Sequence, residues 1–416
     1  MAQEAIPAHR DGAFRSADAR ARLAVLLLFF IEGVTLGSWT SRAPDVRHGV
    51  GLGDTGWGLS YFAATAGELV ALAAITLLIG RTRTPRLSLV GAVLVLLSAP
   101  LAASAPTLPA LLIGILVYGF AATLLSTPAN VQAVEVERRY GRPLMSTFHG
   151  SFSIGMLAGG GLGVVAVALG VRPGVQLAVS SVLLCFLLVM SYRWHPDDSS
   201  SRSGSSGPRR RLRDRFTPRL VLLAALAFLA SFSEGAGAYW SAIYTADTIG
   251  AGAAMGAIAY TSMSAGLAAT RLVGDQVAAR LGRRRLIQVS SVVTAAGIAL
   301  ALSVAHPAAA IAGFAVFGIG VACTLPTIFG LVGEQRGVSA GEGVSVVALG
   351  QWPAFLAAPA LIGALAGVVD LRAALLLVIV SAVAVIMLVG RVRPTRTDGD
   401  GPAHQSKPPA AQGEKA

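Results

Sequence analysis

Leu23-Ala-Val-Leu-Leu-Leu-Phe-Phe-Ile-Glu32-Gly-Val-Thr-Leu-Gly-Ser-Trp39 is the stretch that decides the fold. With its flanks it reaches the roughly 20 apolar residues that a bilayer crossing requires. It nevertheless carries a carboxylate near its centre. An acid at that depth costs roughly 2.5–3.5 kcal/mol on insertion scales, so it is placed where it faces a bundle interior or a water-filled cavity. The competing reading, an acid that snorkels to the surface, asks too much reach of a side chain as short as Glu. The pattern returns at Phe232-Ser-Glu234-Gly235, 202 residues after Glu32 in a chain of 416.

Composition agrees. The chain is 54% hydrophobic and 13% charged, against about 25% charged in soluble domains. Its mean hydropathy is +0.67. The net charge of +12 does not point to nucleic acid, because the basic residues sit in short segments between apolar runs. Cys185 and Cys323 both lie inside apolar runs and read as packing residues. The first apolar run lacks a small-residue cleavage site and is expected to remain as a helix.

Twelve spans are expected, at 22–41, 55–79, 87–105, 108–132, 144–169, 174–194, 219–243, 252–274, 286–305, 308–332, 341–367 and 371–391. The fold class is therefore an all-α membrane protein. The expected divisions are a cytoplasmic N-terminal tail (1–20), a six-helix bundle (21–194), a cytoplasmic linker rich in Ser, Gly and Arg (195–218), a second six-helix bundle (219–391) and a disordered cytoplasmic tail (392–416). With both termini inside, the tails and inner loops hold 28 of the 33 Lys and Arg residues, and the outer loops hold only Arg42, Arg47, Arg172 and Arg372. That bias predicts a multi-pass protein of the cytoplasmic membrane with both ends in the cytoplasm, in contact with anionic lipid.

The two bundles are expected to be homologous. Ala66-Gly67 matches Ala265-Gly266, Arg81 matches Arg280, Tyr118-Gly119-Phe120 matches Phe317-Gly318-Ile319 and Glu135 matches Glu334, all at an offset of 199. Both halves start on the same side, so the repeat is parallel. Parallel halves about an axis along the membrane normal, with a site at the midplane, is a transporter plan.

Two stretches carry a family resemblance. Arg271-Leu-Val-Gly274-Asp275-Gln-Val-Ala-Ala-Arg280-Leu-Gly282-Arg283-Arg284-Arg285 resembles the signature loop between spans eight and nine of the major facilitator superfamily. Asn130 to Gly155, with the Glu32-to-Pro44 and Phe232-to-Tyr244 stretches, is similar to the fucose-permease-like branch of bacterial transporters. The resemblance covers roughly residues 20–390. It implies the major facilitator fold, alternating access by rocking of the halves, a small-molecule substrate and a monomer.

Candidate residues follow from depth and spacing. Glu32, Glu68 and Glu234 are the intramembrane acids, and a carboxylate in a low-dielectric cavity can take up a proton near neutral pH. They are the candidate proton carriers; a buried structural hydrogen bond is the alternative for each. Thr35 and Trp39 share a helical face with Glu32, although Trp39 reads equally as an interfacial belt residue. Asn130, His149, Tyr239, Trp240 and Gln351 complete the expected substrate cavity, with Gln132 and Trp352 as weaker candidates, and His149 is also suited to proton relay. Glu135, Arg138, Asp275, Arg280 and Arg284 are the expected cytoplasmic gate. Arg271 and Asp275, one turn apart, read as a structural pair. The Gly155, Gly159, Gly163 stripe predicts close helix packing. No nucleotide-binding loop, metal-ligand cluster or catalytic cluster is present, so neither cofactor nor enzyme activity is expected. The expected function is proton-coupled uptake of a sugar-like solute. Proton-coupled export of a drug or secondary metabolite is the alternative.

Overall fold

The structure, a computed structural model, describes residues 9–78, 82–140, 144–196, 217–332 and 340–392. Most of the expected tails and linker lies outside the described residues, as do the side chains of Asp275 and Trp352. The first half comprises α1 (His9–Ser41), a short α2 (Ala43–Gly49), α3 (Asp54–Leu78), α4 (Thr84–Ala103), α5 (Leu108–Tyr140), α6 (Met145–Ala168) and α7 (Pro173–Ser191). The second comprises α8 (Pro218–Ile243), α9 (Gly252–Leu281), α10 (Arg283–Ser303), α11 (Pro307–Val321), α12 (Thr324–Val332), α13 (Ala340–Ala366), α14 (Leu371–Leu375) and α15 (Leu377–Val389).

These helices make twelve membrane spans. Eleven stretches among the described residues are long and apolar enough to cross a membrane. The twelfth span is α9, which has 30 residues but carries Arg271, Asp275 and Arg280. Three helices clearly overrun their expected limits, α9 by continuing to Leu281 rather than stopping at 274. α1 is already helical at His9, ahead of residue 22. α5 continues to Tyr140 rather than stopping at 132, because Glu135 pairs with Arg138 and Arg139 three and four residues on.

The repeat is visible in the packing. α1 lies on α6 as α8 lies on α13; α3 and α4 flank α5 as α9 and α10 flank α11. The offset of 199 recurs atom for atom. A Cβ on Gly114 would meet Ala102 and one on Gly313 would meet Ala301; Gly119 abuts the Ala64 carbonyl and Gly318 the Met263 carbonyl. Across the halves, α3 packs on α13 and α6 on α9, the two crossings related by the same pseudo-twofold axis.

Glycine sets the closest approaches. Gly33 and Gly37 of α1 face the Phe152 and Met156 carbonyls of α6, while Gly155 and Gly159 of α6 face the Phe30 and Val34 carbonyls of α1. Helices in a bilayer gain little from burying apolar side chains, so backbone contact of this kind carries the association. Ser151 Oγ adds a hydrogen bond to the Leu26 carbonyl at 2.9 Å.

The apolar core is asymmetric. Two clusters run across both halves: a large one that includes Trp39, Val46, Trp57, Tyr61, Trp240, Tyr244 and Ile362, and a small one of Met156, Ala242 and Tyr260. Two others are each confined to one half: Leu28, Val95, Ala133 and Phe148 in the first, Leu220, Ile287, Ile328 and Val389 in the second. Among the described residues the halves are therefore fused at one end, and at the other their core clusters are separate.

A Gly159→Val variant is expected to lose about 1–3 kcal/mol of stability, because its side chain meets the α1 backbone. Gly161→Val, which meets nothing within 4 Å, is the control. Melting temperatures in detergent check the pair.

Candidate functional site

The fused end is held by a charge cluster. Arg47 of α2 reaches Asp54 Oδ1 at 2.6 Å and Asp247 Oδ2 at 3.4 Å, and His48 Nε2 lies 3.2 Å from Asp247 Oδ1. Asp247 belongs to the second half, on the π turn Tyr244–Thr248 that extends α8. Thr55 Oγ1 donates to the Gly363 carbonyl at 3.1 Å, and Gly58 lies against the Pro359 carbonyl, so α3 and α13 touch backbone to backbone. Arg42 anchors the base of this latch. It is 3% exposed and bonds Asp45 (2.7 Å), Gln176 (2.9 Å) and the Val171 carbonyl (2.8 Å).

Beneath the latch lies an aromatic layer. Trp39 stacks between Trp57 (6.4 Å) and Tyr118 (6.0 Å), and Tyr61 from the first half meets Tyr239 from the second at 4.5 Å. Trp39 is 3% exposed. This corrects the reading of Trp39 as an interfacial belt residue: neighbouring rings enclose it. Trp240 is wholly buried, with its ring against Gly363. Thr35 bonds the Ile31 carbonyl of its own helix at 2.8 Å.

The three intramembrane acids differ in their partners. Glu234 accepts from Arg271 Nη2 at 3.0 Å. Arg271 Nη1 also donates to Ser153 Oγ at 2.9 Å, reaching from α9 to α6. Arg271 thus has distant partners, as the interior of an apolar bundle favours pairing one buried charge with another; the expected partner, Asp275, has its side chain outside the described residues. Glu32 and Glu68 are half-buried and have no ion pair or side-chain hydrogen bond among the described residues. His149 is exposed beyond the aromatic layer, edge-on to Phe29 at 5.3 Å.

Other expected site residues lie elsewhere or act locally. Asn130 is half-buried and donates to the Ser126 carbonyl of its own helix; Gln351 is half-buried on α13. Gln132 is 1% exposed and lies away from the seam, inside the first half. It donates to Ser88 Oγ at 2.7 Å and accepts from His195 Nδ1 at 3.0 Å. Burial pushes the His195 imidazole down to about 4, so the ring is the neutral tautomer that donates there. At the separated end, Glu135 pairs within α5 with Arg138 (2.8 Å) and Arg139 (3.0 Å). Glu137 accepts from the Leu144 and Met145 amides at the start of α6. Arg280 is exposed, and Arg284 donates to the Gly390 carbonyl within its own half.

Sequence reasoning missed the latch, Tyr61, Trp57 and Ser153. Trp57 and Tyr61 are one turn apart, an aromatic stripe visible in the sequence. Arg47 and Asp247 are 200 residues apart and nothing local pairs them.

A family model described as Major Facilitator Superfamily matches residues 23–335 and 223–414. The chain belongs to the major facilitator superfamily. Its curated relatives include an uncharacterized MFS-type transporter of Yersinia pestis, 29% identical over 351 residues, covering 84% of this chain and 89% of the relative. Another is membrane protein MosC of Rhizobium meliloti, 29% identical over 370 residues and 89% of each chain. Solved members of the fold include the nucleoside transporter NupG, at TM-score 0.67 and 14% identity over 89% of this chain and 98% of that one. A bacterial homologue of the human lysosomal transporter Spinster, inward-facing and unoccupied, gives TM-score 0.66 and 15% identity over 90% of this chain and 96% of that one. Like other superfamily members, this chain is a membrane transporter and moves a small molecule across the bilayer.

Asp247→Asn is expected to loosen the fused end, since it removes the negative charge that faces Arg47 and His48 across the halves. Acrylamide quenching of the buried Trp39, Trp57 and Trp240 should rise at least two-fold over wild type.

Proposed function

We propose that this protein is a proton-coupled importer of a polar, hydroxyl-bearing solute of sugar-like size, working by alternating access. The observation that carries the reading is the pair of half-buried carboxylates, Glu32 and Glu68, without counter-ions among the described residues, in a bundle whose halves meet in an aromatic layer of Trp39, Trp57, Tyr61 and Tyr239. A carboxylate left without a positive partner in a low-dielectric interior favours its protonated form. It can then release that proton when water reaches it. Aromatic faces beside acceptor oxygens suit a solute with an apolar ring face and a hydroxyl rim.

Orientation comes from the basic residues. The separated end carries Arg83, Arg138, Arg139, Arg283 and Arg284, and the positive-inside rule places it in the cytoplasm. The latch of Arg47, His48 and Asp247 then faces the exterior. In this arrangement the protein is closed outside and open inside, with both termini in the cytoplasm of a monomer in the cytoplasmic membrane. Rocking the halves about the α3–α13 and α6–α9 crossings would open the latch and close the basic end. Asn130, His149, Tyr239 and Gln351 stand as solute contacts below the aromatic layer. Trp240 joins them when α3 and α13 part. Glu135, Arg138, Asp275, Arg280 and Arg284 form the inner gate when the basic ends meet.

Proton flux into liposomes containing the purified protein tests this, with a panel of hexoses and a panel of lipophilic amines. External alkalinisation on adding a hexose, reduced at least ten-fold by Glu32→Gln or Glu68→Gln, is the expected result. Proton movement opposite to solute, with amines alone, would make the protein an exporter of drugs or secondary metabolites. Coupled flux that survives both substitutions would remove these acids from the mechanism.

A further inference from the structure

Arg271 joins more of the molecule than any other intramembrane charge. Its Nη2 is seated on Glu234 of α8, in its own half, at 3.0 Å. Its Nη1 is seated on Ser153 of α6, in the other half, at 2.9 Å. Both carboxylate and guanidinium side chains are about one-sixth exposed, at 15% and 16%, and Ser153 is wholly buried. Other polar contacts between the halves lie at the latch end: Arg47 and His48 with Asp247, and Thr55 with Gly363. The Arg271–Ser153 bond stands apart from these, further toward the basic end.

The geometry of the seam explains why an arginine is needed. Gly160 lets α6 come against Tyr260 and Thr261 of α9. From there α6 reaches Ser153 in seven residues and α9 reaches Arg271 in ten, or about 10 and 15 Å of helix. Helical side chains lean toward their own N-terminus. In α9 that direction is the latch end, so the guanidinium reaches back to make up the roughly 5 Å difference. A shorter cation would not span it.

We propose that Arg271 is a positioning residue of the transport cycle. Its pair with Glu234 travels as a permanent unit within the second half, and its bond to Ser153 is a strut specific to the latch-closed arrangement. The inference rests on the transporter reading but assigns a different task to Glu234. Instead of carrying the proton, Glu234 keeps the arginine ionised, aimed and compensated, and Glu32 and Glu68 remain the acids free to titrate.

The two contacts are separable by substitution. Ser153→Ala removes the strut and leaves both charges paired. Arg271→Gln removes both contacts and strands Glu234 without a counter-ion. Arg271→Gln/Glu234→Gln removes the strut and both charges together. Spin labels on the full chain report the state without any solute. Leu169→Cys with Val368→Cys reads the latch end, and Tyr192→Cys with Met387→Cys reads the basic end, all four positions being strongly exposed. The background carries Cys185→Ser and Cys323→Ser. Double electron–electron resonance distances should shift in the same way for Ser153→Ala and for the double variant. In both, the latch-end distance lengthens, the basic-end distance shortens, and the ratio of the two states changes by about ten-fold, as for loss of one hydrogen bond to a charged group. Arg271→Gln alone should melt well below both.

Wild-type distances in Ser153→Ala would overturn the strut. A double variant that melts as low as Arg271→Gln would overturn the compensated pair. A double variant that exchanges solute across the membrane but no longer drives accumulation from a proton gradient would return the proton to Glu234. Should wild type move no proton with any hexose or amine, the transport reading fails while the distance measurements still decide the strut.

Discussion

Lipid gives a helix no reason to bury an apolar side chain, and every tight contact in this molecule answers to that constraint. What holds α1 to α6 is the absence of side chains at Gly33, Gly37, Gly155 and Gly159, which lets the two backbones meet. The same device joins α3 to α5 at Gly67 and Gly119, and α9 to α11 at Gly266 and Gly318. Within each half, then, packing is dense and backbone-led. Each half is suited to moving as a rigid body.

Between the halves the materials differ. The seam adds rings and charges to the one backbone approach of α3 on α13: Trp39, Trp57, Tyr61 and Tyr239, then Arg47 with Asp247 and Arg271 with Ser153. Rings slide and charges exchange partners at modest cost. A seam of this kind is suited to being broken and remade. The aromatic residues that join the halves in its main core cluster, Trp39, Trp57, Tyr61 and Trp240, lie beside the latch, and that asymmetry gives the structure a facing.

Much of this was legible in the chain. The span lengths follow from bilayer thickness, and the repeat offset of 199 reappears in the pairs Gly114–Ala102 and Gly313–Ala301. The glycine stripe announced its own packing. What was hidden is the pairing of charges. Helical spacing offers Arg271 only the neighbour one turn on; the folded chain joins Arg271 to Glu234, 37 residues away, and to Ser153, 118 residues away. A local rule cannot see such partners, because the gain comes from compensating a charge in an apolar interior. Gln132 misled for the same reason. Its polarity suggested a cavity, and its bonds to Ser88 and His195 use that polarity inside one half. Depth in the membrane was readable from sequence; direction around the helix was readable only where glycine or aromatic spacing marked it.

The two sides of the latch differ in stiffness. Arg47 rides on a short helix whose root, Arg42, is fastened to three groups of its own half. Asp247 rides on a π turn, a loosely wound stretch whose closing bond runs from the Ile249 amide to the Tyr244 carbonyl. Rewinding that turn to an α-helix would swing Asp247 about the axis by one residue's worth of rotation, about 100°. The latch is in this sense a rigid tooth against a sprung catch. The second half can let go by a twist of a few residues before either bundle has tilted.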